Sequence, residues 1–419
     1  MNRMLSLALS AILLPSMAIP AAAQTTSPVT QEVTPEMKTL VAGQNAFATE
    51  LYARLRSQNG NLFFSPHSIS VALTMTWSGA AGPTADEMAA VLHLPAEKGK
   101  TGRIATIQAA ASLQKHLKAI GGGKFQLNVA NALWGQRGYP FKDDFLTLIK
   151  TNFDGGLAQV DFSNEPVARA AINSWAEAQT QDKIKDLIAP GILTPITRLV
   201  LANAIYFKAA WAESFKVAAT KKALFHHTAD KAVEAEMMNQ TGSFAYSDAG
   251  AVRILEMPYD GQAISMAILL PARVDGLEEL ESGLSAENLA GWLGQLKRER
   301  VHVSMPKFTV AAGRELAGTL MAMGLNLAFD ADRADFSGMT NSATEPLHIS
   351  DVAHKAFVDV NEEGTEAAAA TAVTMRTWGG AMPAVKPIEF VADHPFLFLI
   401  RDMTTGDILF MGRLVDPTM

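Results

Sequence analysis

The chain has no cysteine among its 419 residues, which excludes disulfides, thiolate metal sites and a cysteine nucleophile. Its stability must therefore rest on an apolar core, and a composition of 48% hydrophobic and 18% charged residues allows a large one. Clustered Lys and Arg are missing too. The net charge of -7 favours solubility and argues against nucleic acid as a partner, because phosphate binding needs a basic patch. No Pro-, Ser- or Gly-rich linker, charge block or repeat period interrupts residues 35–417, so one large domain is expected over 35–419.

The motifs of common enzymes are equally scarce. Gly121-Gly122-Gly123-Lys124 has Phe125 where a phosphate loop needs a Mg²⁺-binding Ser or Thr, and the first glycine of that motif is absent. There is no GxSxG elbow to activate a serine. His226-His227 is the lone histidine pair; HExxH spacing is absent, and a solvated loop pair is expected. Asn239-Gln240-Thr241 is a glycosylation sequon that chance explains. Neither a catalytic residue, a cofactor nor a metal is expected.

At the N-terminus, Arg3 precedes an apolar stretch from Met4 to Ile19, broken by Pro15 and followed by Ala21-Ala22-Ala23. That is the layout of a secretory signal, too short and interrupted to read as a membrane span. Residues 1–23 are expected to be removed near Ala23, leaving a flexible tail over 24–34 and a protein exported to the periplasm or the medium.

Thr34 and Pro35 suit an N-cap and first helical position, and Leu40, Phe47, Leu51 and Leu55 follow at helical spacing up to Asn59-Gly60. Further helices are predicted at Ser68–Trp77, Ala85–Leu92, Thr106–Ala119, Lys142–Thr151, Pro166–Thr180, Ala286–Leu296 and Gly313–Met323, with Thr84 and Ser285 as caps. Alternation predicts half-buried strands at Phe125–Val129 and Val301–Met305. Continuous apolar runs at Leu199–Phe207, Ile264–Leu270, Phe396–Ile400 and Ile408–Met411 suit strands covered on both faces. Helices dominate the first half and strands the second, which predicts an α+β fold.

Between the strand ending at Val360 and the one containing Phe396 lies a stretch of about thirty residues with little turn chemistry, a length that is usually functional. Counted in twos, Thr365, Ala367, Ala369, Thr371, Val373, Met375 and Thr377 share one face; Glu366, Ala368, Ala370, Ala372, Thr374 and Arg376 share the other. Both charges fall on one face and the opposite face is small, β-branched or apolar, as in a strand with one buried side. Gly364 supplies a permissive hinge ahead of it. Four consecutive alanines equally suit a helix, and residue preferences leave the two open.

The run NEEGTEAAAAT resembles the hinge of the serpin family. Similar matches extend along the chain: Phe63-Phe64-Ser65-Pro66 with Ser68-Ile69-Ser70, Asn203-Ala204-Ile205-Tyr206-Phe207-Lys208 with Trp211, Met257-Pro258-Tyr259, Met305-Pro306-Lys307-Phe308, Ala334-Asp335-Phe336-Ser337-Gly338, Leu347-His348-Ile349-Ser350 and His394-Pro395-Phe396. The resemblance implies three β-sheets, eight or nine helices and an exposed reactive-centre loop over about 362–387, in a metastable native state. It also implies a single-use inhibitor of serine proteases. The target attacks the loop and forms a covalent acyl-enzyme, and the cut loop then enters the central sheet as a new strand, a mode of strand addition known for this family. The partner implied is a serine endopeptidase, and a monomer is expected. A non-inhibitory carrier or chaperone on the same fold is the alternative; the small inward residues Thr365, Ala367, Ala369 and Thr371 argue for insertion.

By the same resemblance, Glu362, Glu363, Gly364, Thr365, Glu366, Ala367, Ala368, Ala369, Ala370 and Thr371 form the hinge. Ser65, Ser68, Asn203 and His354 match the shutter cluster beneath the parting strands, and Trp211 and Lys307 match the breach where insertion starts, with Lys307 and Glu362 as an ion pair. The family's register sets the reactive bond at Trp378-Gly379, which suits a chymotrypsin-like pocket. The loop after Gly379 is longer than usual and glycine replaces the commoner serine, so Arg376-Thr377, suited to trypsin-like enzymes, is the alternative.

Overall fold

The computed structural model describes residues 32–95, 99–121, 123–153, 156–342, 345–365 and 386–419. The helices among them are α1 (Pro35–Leu55), α2 (Pro66–Trp77), α3 (Gly82–Val91), α4 (Gly99–Gly121), α5 (Asp143–Asn152), α6 (Glu165–Gln179), α7 (Leu277–Ser282), α8 (Ala286–Leu293) and α9 (Ala317–Ala322). The strands are β1 (Leu62–Phe64), β2 (Phe125–Gln136), β3 (Leu157–Val160), β4 (Leu199–Ala210), β5 (Lys221–Thr228), β6 (Lys231–Asp248), β7 (Val252–Pro258), β8 (Ile264–Pro271), β9 (Lys297–Pro306), β10 (Phe308–Glu315), β11 (Asp351–Val360), β12 (Gly364–Thr365), β13 (Ile388–Val391), β14 (Phe396–Asp402) and β15 (Ile408–Leu414).

Two hydrogen-bonded sheets result. One has six strands in the order β10-β11-β12-β4-β2-β3; the other has nine, β1-β15-β14-β8-β7-β6-β9-β13, with β5 beside β6. The nine-stranded sheet holds two of the three sheets expected, since β6 pairs with β7 at residues 245–248 and with β9 and β5 along the rest of its length. The α+β class follows.

Local chemistry explains the helix starts. The Thr34 hydroxyl accepts the Met37 N–H at 3.3 Å with Pro35 at the first helical position, and Ser285 caps α8 in the same way. Thr84 is not a cap. It lies within α3, whose N-cap is Ala81, and its hydroxyl instead accepts the Asp335 N–H. The helix predicted from Gly313 begins only at Ala317, because β10 stays paired with β11 out to Glu315–Ala353 and the ladder overrides helical preference. The histidine pair is likewise in β5, not a loop; His227 Nδ1 lies 2.9 Å from the Val415 carbonyl oxygen.

β4 is buried on both sides. Its residues Leu199, Leu201, Ile205, Phe207 and Ala209 face the core between the two sheets, whereas Val200, Ala202 and Ala204 face α6 through Ala168, Ile172 and Ala176. Every residue of α2 is buried, and the helix packs on β2, β4 and β15, so it joins the two sheets. β4 and β11 run parallel, in register from Val200–Asp351 at one end, the foot, to Tyr206–Phe357. Toward the other end, the top, the two strands part, and β12 enters between them.

Candidate functional site

At the top of the seam, Thr365 pairs with Val360 of β11 on one side and Ala209 of β4 on the other, and Gly364 pairs with Ala210. Only glycine fits at 364: φ is +154°, and a Cβ there would lie 2.1 Å from the Ala209 oxygen. A tight turn precedes it, with Asn361 N–H donating to the Gly364 oxygen and the Asn361 side chain accepting the Glu363 N–H.

Aromatic packing holds this wedge from below. Trp211 stacks on Tyr259 with ring centroids 4.6 Å apart, and its indole N–H donates to the Asn361 oxygen at 3.0 Å. The Tyr259 hydroxyl lies 2.7 Å from Thr365 Oγ1, with both residues fully buried. Burial raises the Tyr259 pKa strongly against a smaller opposing effect of Thr365, so the phenol stays neutral. Beside it, Glu362 takes Lys307 Nζ at 3.3 Å and the Thr220 hydroxyl at 2.8 Å. Burial works against the Glu362 charge, but Thr220, its own backbone N–H and Lys307 outweigh it and hold the carboxyl below its ordinary value. Lys307 also reaches Glu236 at 3.3 Å.

Halfway down the seam, the four polar residues singled out from the sequence come together. Asn203 Nδ2 donates to Ser68 Oγ at 2.5 Å and to Asn131 Oδ1, while Ser68 Oγ donates to Asn131 Oδ1 at 3.2 Å. Ser65 caps α2 by accepting the Ser68 N–H, and its hydroxyl donates to the Leu409 oxygen of β15 at 2.6 Å. The Ser65 N–H donates to His354 Nε2 at 3.1 Å. Nε2 is thus an acceptor, which leaves the ring proton on Nδ1 to donate to Asn203 Oδ1. Burial, with the nearby Arg314 charge, pushes His354 down to about 3, so the ring is neutral across the physiological range. One network therefore ties α2, β2, β4, β11 and β15 at the line along which β4 and β11 meet.

Asn131 was missed from the sequence, although a signal exists. It shares the parity of Phe125, Leu127, Val129 and Leu133 in β2, a polar residue on an otherwise apolar face. Tyr259 and Thr220 carry no such mark. Of the hinge, Glu362, Glu363, Gly364 and Thr365 are described; Glu366, Ala367, Ala368, Ala369, Ala370 and Thr371, and both candidate bonds at Arg376-Thr377 and Trp378-Gly379, lie outside the described residues, as do residues 1–31.

Residues 42–417 match the family described as serpin, serine protease inhibitor. This chain is a serpin. It is 43% identical over 381 residues to an uncharacterized serpin-like protein of Thermococcus kodakarensis, covering 91% of this chain and 86% of that one. With the leukocyte elastase inhibitor of Bos taurus it shares 40% identity over 392 residues, 91% of this chain and 100% of the other. Among solved structures, human thyroxine-binding globulin in complex with thyroxine is similar at a TM-score of 0.82 and 31% identity, over 92% of this chain and 100% of that one. Among the described residues of this serpin, no helix is long and apolar enough to cross a membrane.

Proposed function

We propose that this serpin is a suicide-substrate inhibitor of serine endopeptidases, which traps the acyl-enzyme by inserting its cut loop between β4 and β11. The observation that carries this reading is β12: two residues of the hinge already occupy the sheet in antiparallel register with β4. Continued in that register, positions 365, 367, 369, 371, 373 and 375 would fall opposite Ala209, Phe207, Ile205, Asn203, Leu201 and Leu199, the core-facing residues of β4. These are the small, β-branched or apolar positions of the loop, so the sequence alternation and the register agree.

The strand so formed would add about ten ladder hydrogen bonds at roughly 1 kcal/mol each, together with burial of Val373 and Met375. That is comparable with the whole stability of a domain and can drive an irreversible trap. The shutter network must open along the seam, and Thr371 would arrive opposite Asn203. Trp378-Gly379 is the bond proposed for cleavage, selecting chymotrypsin-like enzymes, with Arg376-Thr377 as the trypsin-like alternative. Likeness to a leukocyte elastase inhibitor supports inhibition, whereas likeness to thyroxine-binding globulin favours a second reading as a carrier.

Incubation with chymotrypsin, elastase and trypsin, followed by denaturing electrophoresis and mass spectrometry, tests the proposal. A denaturant-resistant complex and a fragment starting at Gly379 are expected. Simple cleavage without complex, and no rise in melting temperature on cutting, would leave the carrier reading. Export after removal of residues 1–23 is part of the same proposal, checked by N-terminal sequencing of protein recovered from the medium or periplasm.

A further inference from the structure

The foot of the seam is incomplete. Where Val200 faces Asp351, a cavity of about 350 Å³ opens, walled by Ile192, Ile196, Val200 and Phe329, with His348 and Asp351 among its polar groups. Asp351 is only 8% exposed, yet among the described residues its Oδ2 has no hydrogen-bond partner. Burial raises its carboxyl to about 6; the Val352 N–H draws it back, and the like charge of Glu315 adds to the rise. At neutral pH a mostly ionised carboxylate therefore sits in this cavity with no ion-pair partner among the described residues, which is costly unless a donor arrives from elsewhere. Ile196, in the same wall, is 76% exposed.

The register of β12 indicates what that donor is. Thr365 lies opposite Ala209 and Val360, and Val200 and Asp351 each lie nine residues further down their strands. An in-register continuation puts position 374 between them by either route. Side chain direction agrees: Ala353 and Val200 face α6, so Asp351 does too, whereas Thr365 faces the opposite side toward Tyr259. The even positions of an inserted strand thus share the face of Asp351, and at the foot these are Thr374 and Arg376. A neighbour displaced by two residues is within reach of a long side chain.

Resting on the insertion reading, we propose that this cavity receives the segment from Thr374 to Arg376 when the loop enters the sheet, with the Arg376 guanidinium closing on the Asp351 carboxylate. Arg198, which the same register sets opposite position 376, is already held by Glu345 and by the carbonyls of Pro195 and Thr197, so its charge is matched. Glu315 adds attraction for a cation. Cleavage at either candidate bond leaves Arg376 on the inserted side. Asp351 is thus left unpaired while the loop is out and becomes paired once it is in.

The test compares melting midpoints of intact and loop-cut full-length protein for wild type, Asp351→Asn, Arg376→Gln and the double variant, with each cut verified by mass to lie beyond Arg376. Cutting is expected to raise the wild-type midpoint, each single substitution to shrink that rise by about 2–5 °C, and the double to shrink it no further. Arg376→Gln alters only the loop, so the comparison survives if Asp351→Asn folds poorly. A rise that is unchanged in the single variants, or losses that add in the double, would overturn the contact alone. No rise in wild type would instead overturn the insertion reading, and this contact with it.

Discussion

The two ends of the β4–β11 seam differ in how completely their polar groups are matched. At the top, β12 fills the gap, Thr365 meets Tyr259, and Glu362 is held by both Lys307 and Thr220. At the foot, β4 and β11 pair directly with each other, yet Asp351 has an oxygen with no partner among the described residues, beside an open cavity. The sheet is parted where everything is matched and closed where something is missing. On the proposed insertion, a strand entering between β4 and β11 would start at the matched end and reach the unmatched Asp351 last.

The largest effect should come from spoiling the matched end. Thr365→Arg places a charge where the wild-type side chain is wholly buried. The covalent complex with a target protease should then fall about tenfold or more, while cleavage of the loop continues. Densitometry of complex against cleaved product reads this directly; undiminished complex would mean that β12 is not where insertion begins.

Next comes the network between the two ends. His354→Ala leaves the Ser65 N–H and Asn203 Oδ1 buried without their partner, at a cost of about 2–5 kcal/mol. The midpoint of the first urea unfolding transition should drop accordingly, and self-association on mild heating should increase. His354→Asn should recover part of the loss.

Acid sharpens the contrast between the two ends. His354, pushed down to about 3 from 6.5, makes the folded state hold fewer protons, so its contribution to stability is complete above pH 6.5 and lost as pH falls toward 3. Asp351, raised to about 6 from 3.8, does the reverse: the folded state holds more protons, and stability is lost as pH rises from 3.8 to 6. Between about pH 4 and 6 the two slopes oppose each other, each about 1.4 kcal/mol per pH unit at most. Asp351→Asn removes one of them, so the wild type should gain on the variant as pH is lowered through that window. Parallel pH profiles of chemical unfolding for the two proteins provide the measurement.

The smallest effect belongs to the Lys307–Glu362 ion pair. Lys307 is about one-third exposed and Glu362 keeps Thr220 as a second partner, so Lys307→Met should cost about 1 kcal/mol or less. The difference between variant and wild type should narrow as salt is raised.

Much of this was legible in the sequence because it depends on parity and on polar residues in apolar surroundings. Ser65, Ser68, Asn203 and His354 do converge, whereas the alternation beyond Thr365 falls outside the described residues. Gly313–Glu315 misled because a strand partner far along the chain, at Ala353–Lys355, decides its conformation. Tyr259 and Thr220 were invisible as site residues because their neighbours come from Thr365 and Glu362, more than a hundred positions away. Asp351 begins an ordinary half-buried strand, and what singles it out is the lack of a partner, which only three-dimensional packing reveals.

β4 also acts as a ruler. Its 12 residues set the depth of the slot beside it, at about 3.3 Å per residue, so the end of a fully seated strand lies about 40 Å from where it entered. On the proposed insertion, a group covalently attached to that end would be carried along the length of β4. On that reading, the length of a single buried strand would set how far a trapped enzyme is moved, independently of which enzyme it is.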